Sequence, residues 1–408
     1  MRVVAQQLAS ASLAEERVQH CARSELNLRA VRGLIAQRAE RLAELTGLPR
    51  AEALVSHVLP LADACRFLER QAHRILAPRR LSSVGRPLWL WDVELTVYRE
   101  PFGTVLIIAP SNNRLFLPAV QTLQALAAGN SVLLKPGRGG QPAAEAWAQL
   151  LYDAGLPAYR LRVLDESVET ARLGADLVVF TGSAETGRRV LSELADDLTP
   201  AIMELSGHDA VFVRADADVD LVVRALVFGA QLGGGAVCMR PRRIYAHEAI
   251  VPKLTQKLGP LAENGGWTIE SVRDDDDALH RAAQCPYALG ASVFGREPGA
   301  SALARRVPAG AVTVNDIIVP TADPRFPFGG WRHSGFGVTR GAEGLLAMTR
   351  MRVVATRRGR ARLHLEPQRF EDGELFNAWI QLAHGRDVGK RVAALKTFFQ
   401  LAWRRMKS

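Results

Sequence analysis

Hydrophobic and polar positions divide the chain into a helical beginning, two α/β stretches and a basic C-terminal segment. From residue 11 to about residue 80, Leu, Val and Ala recur at three- and four-residue spacing among Arg and Glu, which predicts helices. Pro49 and Pro60 punctuate these helices. Residues 88–98, Leu-Trp-Leu-Trp-Asp-Val-Glu-Leu-Thr-Val-Tyr, are rich in strand-favouring types and predict one arm of an exposed hairpin.

From residue 102 onward, short apolar runs alternate with helical stretches. The predicted strands are Thr104–Ala109, Ser131–Leu134 and Leu177–Phe180, and the predicted helices are Ala119–Ala128 and Ala144–Asp153. A second series after Gly207 predicts strands at Asp209–Val213, Arg243–Ala246, Ala291–Phe294 and Ala311–Asn315. This alternation predicts an α/β protein whose parallel sheets are covered by helices.

Composition favours a sizeable intracellular protein. With 408 residues and 48% apolar content, the chain can bury a large core and is expected to form two domains. Its four cysteines, Cys21, Cys65, Cys238 and Cys285, are too scattered for a disulfide framework, which favours a reducing cytoplasm. Residues 1–10 lack the pattern of a secretion signal, and no apolar run reaches the length of a membrane span.

The net charge of +10 is unevenly placed, because arginines crowd residues 350–362 and further basic residues fill the C-terminus. Such a distribution predicts an acidic partner surface. Zinc-finger spacing, an aromatic RNA-binding signature and a helix-turn-helix pattern are all missing, so nucleic acid is not the expected partner. A phospholipid surface fits the charge better.

A glutamate and a cysteine are the most informative residues of the chain. Glu204 lies in Met-Glu-Leu-Ser-Gly, and Cys238 ends the run Gly-Gly-Gly-Ala-Val-Cys, where the backbone can approach a substrate closely. A thiolate attacks a carbonyl better than a hydroxyl does at neutral pH. The accompanying motifs are Asn112 in Ala-Pro-Ser-Asn-Asn, Lys135 in Leu-Leu-Lys-Pro-Gly, Phe180-Thr-Gly-Ser, Pro327-Phe-Gly-Gly and Ser334-Gly-Phe-Gly.

The order and spacing of these motifs resemble the aldehyde dehydrogenase superfamily from about Val93 to Val354, and Asn-Asp-Ile-Ile-Val at 315–319 leans toward its class 3 and fatty-aldehyde branch. The resemblance implies a Rossmann-like cofactor domain, an α/β catalytic domain and a β oligomerisation arm. The implied segments are 1–84 (N-terminal helices), 85–101 (hairpin), 102–206 (dinucleotide binding), 207–345 (catalysis), 346–360 (terminal arm strand) and 361–408 (basic extension).

The resemblance also implies roles for three residues. Cys238 would be the nucleophile, Asn112 would supply a side-chain N–H to the oxyanion, and Glu204 would activate the water that hydrolyses a thioester. Each residue also has a plainer interpretation: a small buried hydrophobe, a turn residue and a solvated carboxylate at a strand end, respectively. The flanking Ser111, Asn113 and Arg114 depart from the family's aromatic residues and proline, which predicts more polar substrate contacts.

The implied cofactor is NAD or NADP, and no metal is expected. Lys135 would reach the adenosine ribose, while Gly182 and Ser183 open a helix whose amides can meet a phosphate. Leu205 and Phe328 complete the implied cofactor contacts. Arg138 replaces a glutamate that binds both ribose hydroxyls in many NAD-using relatives, and a cation there would attract the 2′-phosphate of NADP.

An internal deletion separates this chain from its family. Between Cys238 and residues 286–290 it is several dozen residues shorter and lacks the Glu-x-Phe-Gly-Pro motif that holds the nicotinamide ribose. Glu263 and Glu270 do not stand in the expected setting, and Ala236 replaces a usual glutamine. Three functions therefore stay open: an aldehyde dehydrogenase, an acyl-thioester reductase, which Glu204 argues against, and a non-catalytic binding or scaffold protein.

The C-terminal segment 385–408 predicts a basic amphipathic helix. Its apolar stripe comprises Val392, Leu395, Phe398, Phe399, Trp403 and Met406, and its cations are Lys390, Arg391, Lys396, Arg404, Arg405 and Lys407. Such a helix can lie on an anionic membrane and would suit a long-chain or isoprenoid aldehyde. The alternative is a helix packed on its own domain or on a partner subunit. A homodimer or tetramer is expected through the run Met351–Thr356, as in the family.

Overall fold

The computed structural model describes residues 26–168, 171, 173–359 and 365–407. The helical prediction for residues 11–25, and with it Cys21, lies outside the described residues. The chain divides into two compact units. The first comprises the chain up to Leu81 together with Leu95–Val354, and the second comprises Ser82–Glu94 with Ala355–Ser408.

The structure has helices before residue 80 and helices that alternate with strands after residue 102, as the sequence predicts. They are α1 (Leu28–Gln37), α2 (Ala39–Glu44), α3 (Arg50–Ala53), α4 (Leu59–Ile75), α5 (Phe116–Ala127), α6 (Gln141–Asp153), α7 (Ala184–Leu194), α8 (Val219–Gln231), α9 (Val251–Leu258), α10 (Leu261–Asn264), α11 (Asp275–Ala283), α12 (Gly299–Ala304), α13 (Gly341–Ala347), α14 (Asp372–His384) and α15 (Val388–Lys407).

The strands are β1 (Arg79–Arg80), β2 (Val93–Pro101), β3 (Thr104–Ile108), β4 (Ser131–Lys135), β5 (Leu161–Val163), β6 (Leu177–Gly182), β7 (Ala201–Leu205), β8 (Asp209–Val213), β9 (Pro241–His247), β10 (Thr268–Val272), β11 (Tyr287–Ala288), β12 (Gly290–Phe294), β13 (Ala311–Val314), β14 (Trp331–Arg332), β15 (Gly335–Phe336) and β16 (Thr349–Arg357).

The first sheet has the order β15-β7-β6-β3-β4-β5 and is parallel except for β15. The chain places β4 and β5 on one side of β3 and then returns to add β6 and β7 on the other. In such a sheet, ligands bind where the order reverses, outside the carboxyl ends of the strands. The strand β15 joins this sheet from within the stretch 207–345.

The second sheet has the order β10-β9-β8-β12-β13 and is parallel throughout. Its central strands β8 and β12 are buried on both faces, as continuous apolar runs in parallel sheets usually are. Phe212 and Phe294 are among the most deeply buried side chains. Together the two sheets confirm the predicted α/β fold class.

The prediction of a single strand over residues 88–98 is wrong in its first part. Residues Leu88–Leu90 form a 3₁₀ turn, in which the Leu90 N–H donates to the Pro87 carbonyl (2.9 Å), and β2 begins only at Val93. Arg86 donates to the Trp91 carbonyl (2.8 Å) and closes this turn. The bulky apolar run therefore reflects two exposed tryptophans on a turn and not a continuous pleated strand.

In the second unit, α14 and α15 form an antiparallel hairpin. The rings of Trp379 and Phe398 lie 5.0 Å apart, and the buried Asp372 pairs with Arg405 at 2.9 Å. Phe398 thus belongs to the contact between the two helices and not to the exposed stripe, and the side chain of Met406 lies outside the described residues. Among the described residues, no helix is both long and apolar enough to cross a bilayer.

Candidate active site

The cysteine loop follows α8 and is built on three successive glycines. Gly233, Gly234 and Gly235 have φ values of 61°, 62° and 76°, a left-handed conformation that side chains with a Cβ rarely adopt. The Gly233 N–H donates to Glu52 Oε1 at 2.5 Å, and Arg240 donates to the Gly235 carbonyl at 3.4 Å. The loop that ends at Cys238 is therefore held from both sides.

Asn112 lies beyond the carboxyl end of β3 and contacts this loop directly. Its Nδ2 donates to the carbonyl of Ala236, two residues before Cys238, at 2.6 Å. A side-chain amide carries a second N–H, and no described residue engages it. The structure thus places the predicted oxyanion donor against the loop that ends at Cys238, and the roles of both residues stay predictions.

Glu204 lies on β7, beside β15, and only 4% of it is exposed. Its Oε2 accepts a hydrogen bond from the Thr339 hydroxyl at 3.1 Å, while Oε1 has no partner among the described residues. Burial raises the pKa of Glu204 above the usual range of a carboxyl, and Arg340 and the Thr339 hydroxyl oppose that rise. A carboxylate that is harder to ionise than a solvated one holds an accepted proton more readily, which suits a general base.

Ionisation of the Cys238 thiol is strongly unfavourable. Burial, together with the nearby carboxylates of Glu204 and Asp209, raises the pKa of the thiol to about 12, while the Arg340 guanidinium acts in the opposite direction. The thiol is therefore neutral at pH 7 and needs a base when it attacks. Glu204 is the acidic group that the sequence predicted for this neighbourhood.

Asp209 is a second buried carboxyl close to the cysteine. It begins β8, is 5% exposed, and accepts the Gly290 N–H at 3.1 Å. Burial raises the pKa of Asp209 to about 7, against the lowering effects of the Gly290 N–H and of Arg243. Sequence reasoning missed this group, although an acid that opens the apolar run Ala-Val-Phe-Val was a visible signal.

Sequence reasoning also missed Arg340, because arginines are common in this chain and nothing in Thr-Arg-Gly marks one as buried. Only 6% of Arg340 is exposed. Its guanidinium carbon lies 4.4 Å from the centroid of the Phe328 ring, and its Nη1 donates to the Thr321 carbonyl at 2.6 Å. It acts electrostatically on both Glu204 and Cys238.

The predicted cofactor residues Lys135, Arg138, Gly182 and Ser183 lie together at the carboxyl edge of the first sheet, at the ends of β4 and β6. Ser183 caps α7 by accepting the Thr186 N–H at 3.1 Å. Arg138 is exposed. Two cations and the amino end of a capped helix beside a strand-order reversal form a donor set that suits the phosphates and adenosine end of a dinucleotide.

Leu205 ends β7 at this same edge, in register with Gly182 of β6, whereas Phe328 lies beside Arg340. Leu205 follows Glu204 on β7, and its N–H donates to the Ser334 carbonyl at 3.1 Å. The Phe328 ring is 1% exposed and is covered by Arg340. A direct contact between Phe328 and a nicotinamide stays a prediction.

The shortened region offers no obvious replacement for the missing ribose-binding carboxylate. Glu263 is exposed on α10, and Glu270 lies 3.8 Å from Arg281. Arg240 donates to the Gly265 carbonyl at 3.0 Å, so the short connection closes against the cysteine loop. Within the described ranges, no group of three or more acidic, histidine or cysteine side chains could hold a metal ion.

Comparison with known proteins gives a consistent result. A model of the aldehyde dehydrogenase family matches residues 4–265 and 267–354. The 4,4′-diapolycopene aldehyde oxidase of Methylomonas sp is 27% identical, over 84% of this chain and 78% of that protein. The fatty aldehyde dehydrogenase HFD1 of Saccharomyces cerevisiae is 28% identical, over 57% of this chain and 45% of that protein.

A solved structure shares the fold. The NAD-dependent aldehyde dehydrogenase of Sinorhizobium meliloti superposes with a TM-score of 0.75, covering 86% of this chain and 84% of that chain at 22% sequence identity.

Proposed function

Because this chain belongs to the aldehyde dehydrogenase family, we propose that it oxidises an aldehyde to a carboxylic acid, with Cys238 as the nucleophile. The observation that carries the proposal is the 2.6 Å hydrogen bond from Asn112 to the Ala236 carbonyl, because it ties one predicted catalytic residue to the loop that ends at another, Cys238. Glu204 completes the group through its electrostatic effect on the same thiol.

In the first step, the sulfur of Cys238 bonds to the aldehyde carbon. The thiol proton passes to Glu204, whose Oε1 has no other partner among the described residues. The carbonyl electrons move onto the oxygen, where the second N–H of Asn112 and the backbone N–H of Cys238 can stabilise the negative charge. This donor pair is fixed before reaction, since Asn112 is already anchored on the loop.

NAD or NADP, when bound, supplies the acceptor for the hydride that leaves the substrate carbon. Cys238 then carries the acyl group as a thioester. Glu204, after its proton has passed to solvent, removes a proton from water, and the resulting hydroxide displaces the sulfur to give the free acid. Lys135, Ser183 and the amino end of α7 would hold the cofactor, and Arg138 favours NADP through its attraction to a 2′-phosphate.

The expected substrate is an apolar or long-chain aldehyde. The names of the two relatives, a diapolycopene aldehyde oxidase and a fatty aldehyde dehydrogenase, support this class. The polar residues beside Asn112 are engaged within their own loop: Asn113 accepts the Leu117 N–H at 3.0 Å, and Arg114 donates to the Ser111 carbonyl at 3.2 Å. Because these polar groups already have partners in the protein, they support a polar substrate less strongly than the sequence alone suggested.

The helical hairpin of the second unit supports docking on an anionic membrane. Exposed apolar side chains follow α15 at helical spacing, and α14 adds Phe376 and Ile380. The α15 residues are Val388, Val392, Leu395, Phe399 and Trp403. The exposed Lys390, Arg391, Lys396 and Arg404 flank them and would attract lipid head groups, each contributing about 1 kcal/mol near the surface.

Self-association through β16 is a further part of the proposal. Met351, Val353 and Val354 on this strand are 60%, 51% and 40% exposed. Pairing with a second copy would cover these side chains, as expected for a dimer or tetramer in the cytoplasm. Size-exclusion chromatography with light scattering should show a dimer or larger species, and a monomer would contradict this part.

The test of the main proposal is spectrophotometric. Purified protein is mixed with long-chain and short aldehydes and with NAD or NADP, and reduced nicotinamide is followed at its absorbance band. Long-chain substrates should turn over, and Cys238→Ser should abolish turnover while leaving dinucleotide binding nearly intact. Failure to bind any dinucleotide would favour the scaffold alternative, and reduction of acyl-coenzyme A by NADPH would favour the acyl-thioester reductase.

A further inference from the structure

Arg340 combines deep burial with an unusual backbone. Its φ of 61° and ψ of 170° fall in a region that is essentially restricted to glycine. Gln124, itself 2% exposed, holds this backbone: its Oε1 accepts the Arg340 N–H at 3.1 Å, and its Nε2 donates to the Gly341 carbonyl at 3.4 Å. The surrounding structure therefore maintains a conformation that a residue with a side chain adopts only at a cost.

The guanidinium of Arg340 is buried, and no acid among the described residues forms an ion pair with it. Its contacts are the Thr321 carbonyl and the face of Phe328, with the Phe116 ring at 5.8 Å, and its Nε has no partner among the described residues. Burying a cation in this way is unfavourable unless nearby negative charge compensates it. A leucine or methionine would fill the same space without that cost.

The negative groups near Arg340 are those of the reaction. The charges that act on Arg340 are those of Glu204 and Cys238, and the preceding residue, Thr339, donates its hydroxyl to Glu204. The groups that act on the thiol are Glu204, Asp209 and Arg340, together with the Met239 backbone N–H. Arg340 is thus the one cation among the described charges that face the thiol.

We propose that Arg340 is a positioning residue whose fixed positive charge favours the ionised forms of Cys238 and Glu204. Thr339 and Arg340 then act on Glu204 as a unit, the first through a hydrogen bond and the second through its charge. The strained backbone allows the side chains of two consecutive residues, Thr339 and Arg340, to act on the same carboxylate of Glu204. The part that concerns Glu204 rests on the proposed function, whereas the part that concerns the thiol does not.

The thiol part is tested by alkylation, which needs neither cofactor nor aldehyde. Iodoacetamide labelling of Cys238 is followed by mass spectrometry from pH 6 to 10 in the wild type, Arg340→Gln, Arg340→Lys and Arg214→Met. The Gln variant retains a donor for the Thr321 carbonyl but lacks the charge. Arg214 is the matched control because its partners are Asp216 and Asp275 and it is not among the charges acting on Cys238.

Arg340→Gln should label Cys238 about tenfold more slowly than the wild type at each pH, which corresponds to a one-unit rise in the pKa of the thiol. Arg340→Lys should restore most of the rate, and Arg214→Met should leave it unchanged. Labelling of folded Arg340→Gln at the wild-type rate would overturn the proposal. If the Gln variant does not fold, folded Arg340→Lys with a loss as large as tenfold would overturn it instead, because the charge is retained.

In turnover, the pH midpoint of the deacylation step should move to higher pH in Arg340→Gln and return in Arg340→Lys. A purely structural role would lower the rate without moving that midpoint. If labelling changes as expected but no variant oxidises aldehydes, the proposed function fails and the effect on the thiol stands.

Discussion

Replacing Asp209 by asparagine should stabilise the protein at neutral pH. Burial raises the pKa of Asp209 from 3.8 to about 7, so the folded state holds a proton that the unfolded chain releases above pH 4. The unfolded state therefore binds fewer protons between about pH 4 and pH 7, and stability falls as the pH rises through this window. Above pH 7 this loss of stability is complete.

The size of the effect follows from the difference in pKa. Each unit corresponds to 1.36 kcal/mol, so a difference of about three units amounts to about 4 kcal/mol at most. Asparagine cannot ionise, and its side-chain carbonyl can still accept the Gly290 N–H that Asp209 Oδ1 accepts at 3.1 Å. The free energy of unfolding of Asp209→Asn, relative to wild type, should therefore increase by up to about 4 kcal/mol between pH 4 and pH 8.

Urea denaturation of both proteins at pH 4.5, 6 and 8, followed by circular dichroism, measures this difference. Asp277→Asn is the control, because Arg281 and the Arg273 N–H lower the pKa of Asp277 to about 2. Stability from Asp277 is lost as the pH falls from about 4 to about 2, below the tested range, so its variant should differ from wild type by a nearly constant amount between pH 4.5 and pH 8. If the free energies of unfolding of Asp209→Asn and wild type differ by the same amount at all three pH values, the reasoning is refuted.

Three further outcomes are expected. Glu204→Gln should suppress both the initial burst of reduced cofactor and steady turnover, because the variant lacks the group that takes the thiol proton and later the proton of water, and a steady wild-type rate would mean that another base acts. Arg138→Glu should shift preference from NADP toward NAD in calorimetric titrations, with Arg162→Glu on the edge strand β5 as a charge-matched control, and unchanged affinities would remove Arg138 from the site. Phe399→Ser combined with Trp403→Ser should sharply reduce co-sedimentation with anionic vesicles, and high salt should do the same. Phe370→Ser serves as the exposed aromatic control. Equal sedimentation of the wild type and the double variant would contradict the proposed membrane docking.

Local patterns predicted the apolar strands of the two parallel sheets better than the exposed run at residues 88–98. The predicted run Asp209–Val213 coincides with β8, because an uninterrupted apolar segment in a parallel sheet is visible in sequence. Helix starts were predicted too late: α5 begins at Phe116 and α6 at Gln141, three residues before the predicted starts in each case. Both first turns contain a proline, which is tolerated there because the first N–H groups of a helix have no partner within it.

The electrostatics of the site could not be predicted from the sequence. Motif order indicated Asn112, Glu204 and Cys238, but the positive charge that acts on Glu204 and Cys238 comes from Arg340, which follows the strand β15 that pairs with β7. The raised pKa values of Cys238 and Asp209 depend on burial, which no short motif encodes. Likewise, the hydrogen bond from Gly233 to Glu52 joins positions too distant for any local pattern to indicate.

The hydrogen bonds around Cys238 also determine when the site can form during synthesis. The contacts Gly233–Glu52, Asn112–Ala236 and Thr339–Glu204 span 181, 124 and 135 residues of chain. At about 5 to 20 residues per second, the ribosome needs roughly 5 to 20 s after Cys238 to complete Thr339. During that interval the thiol belongs to a nascent chain that contains Asn112 and Glu204 but lacks Thr339 and Arg340. Cys238 thus acquires its partly buried setting only after nearly the whole first unit has been made, and a prematurely terminated chain would carry an ordinary cysteine.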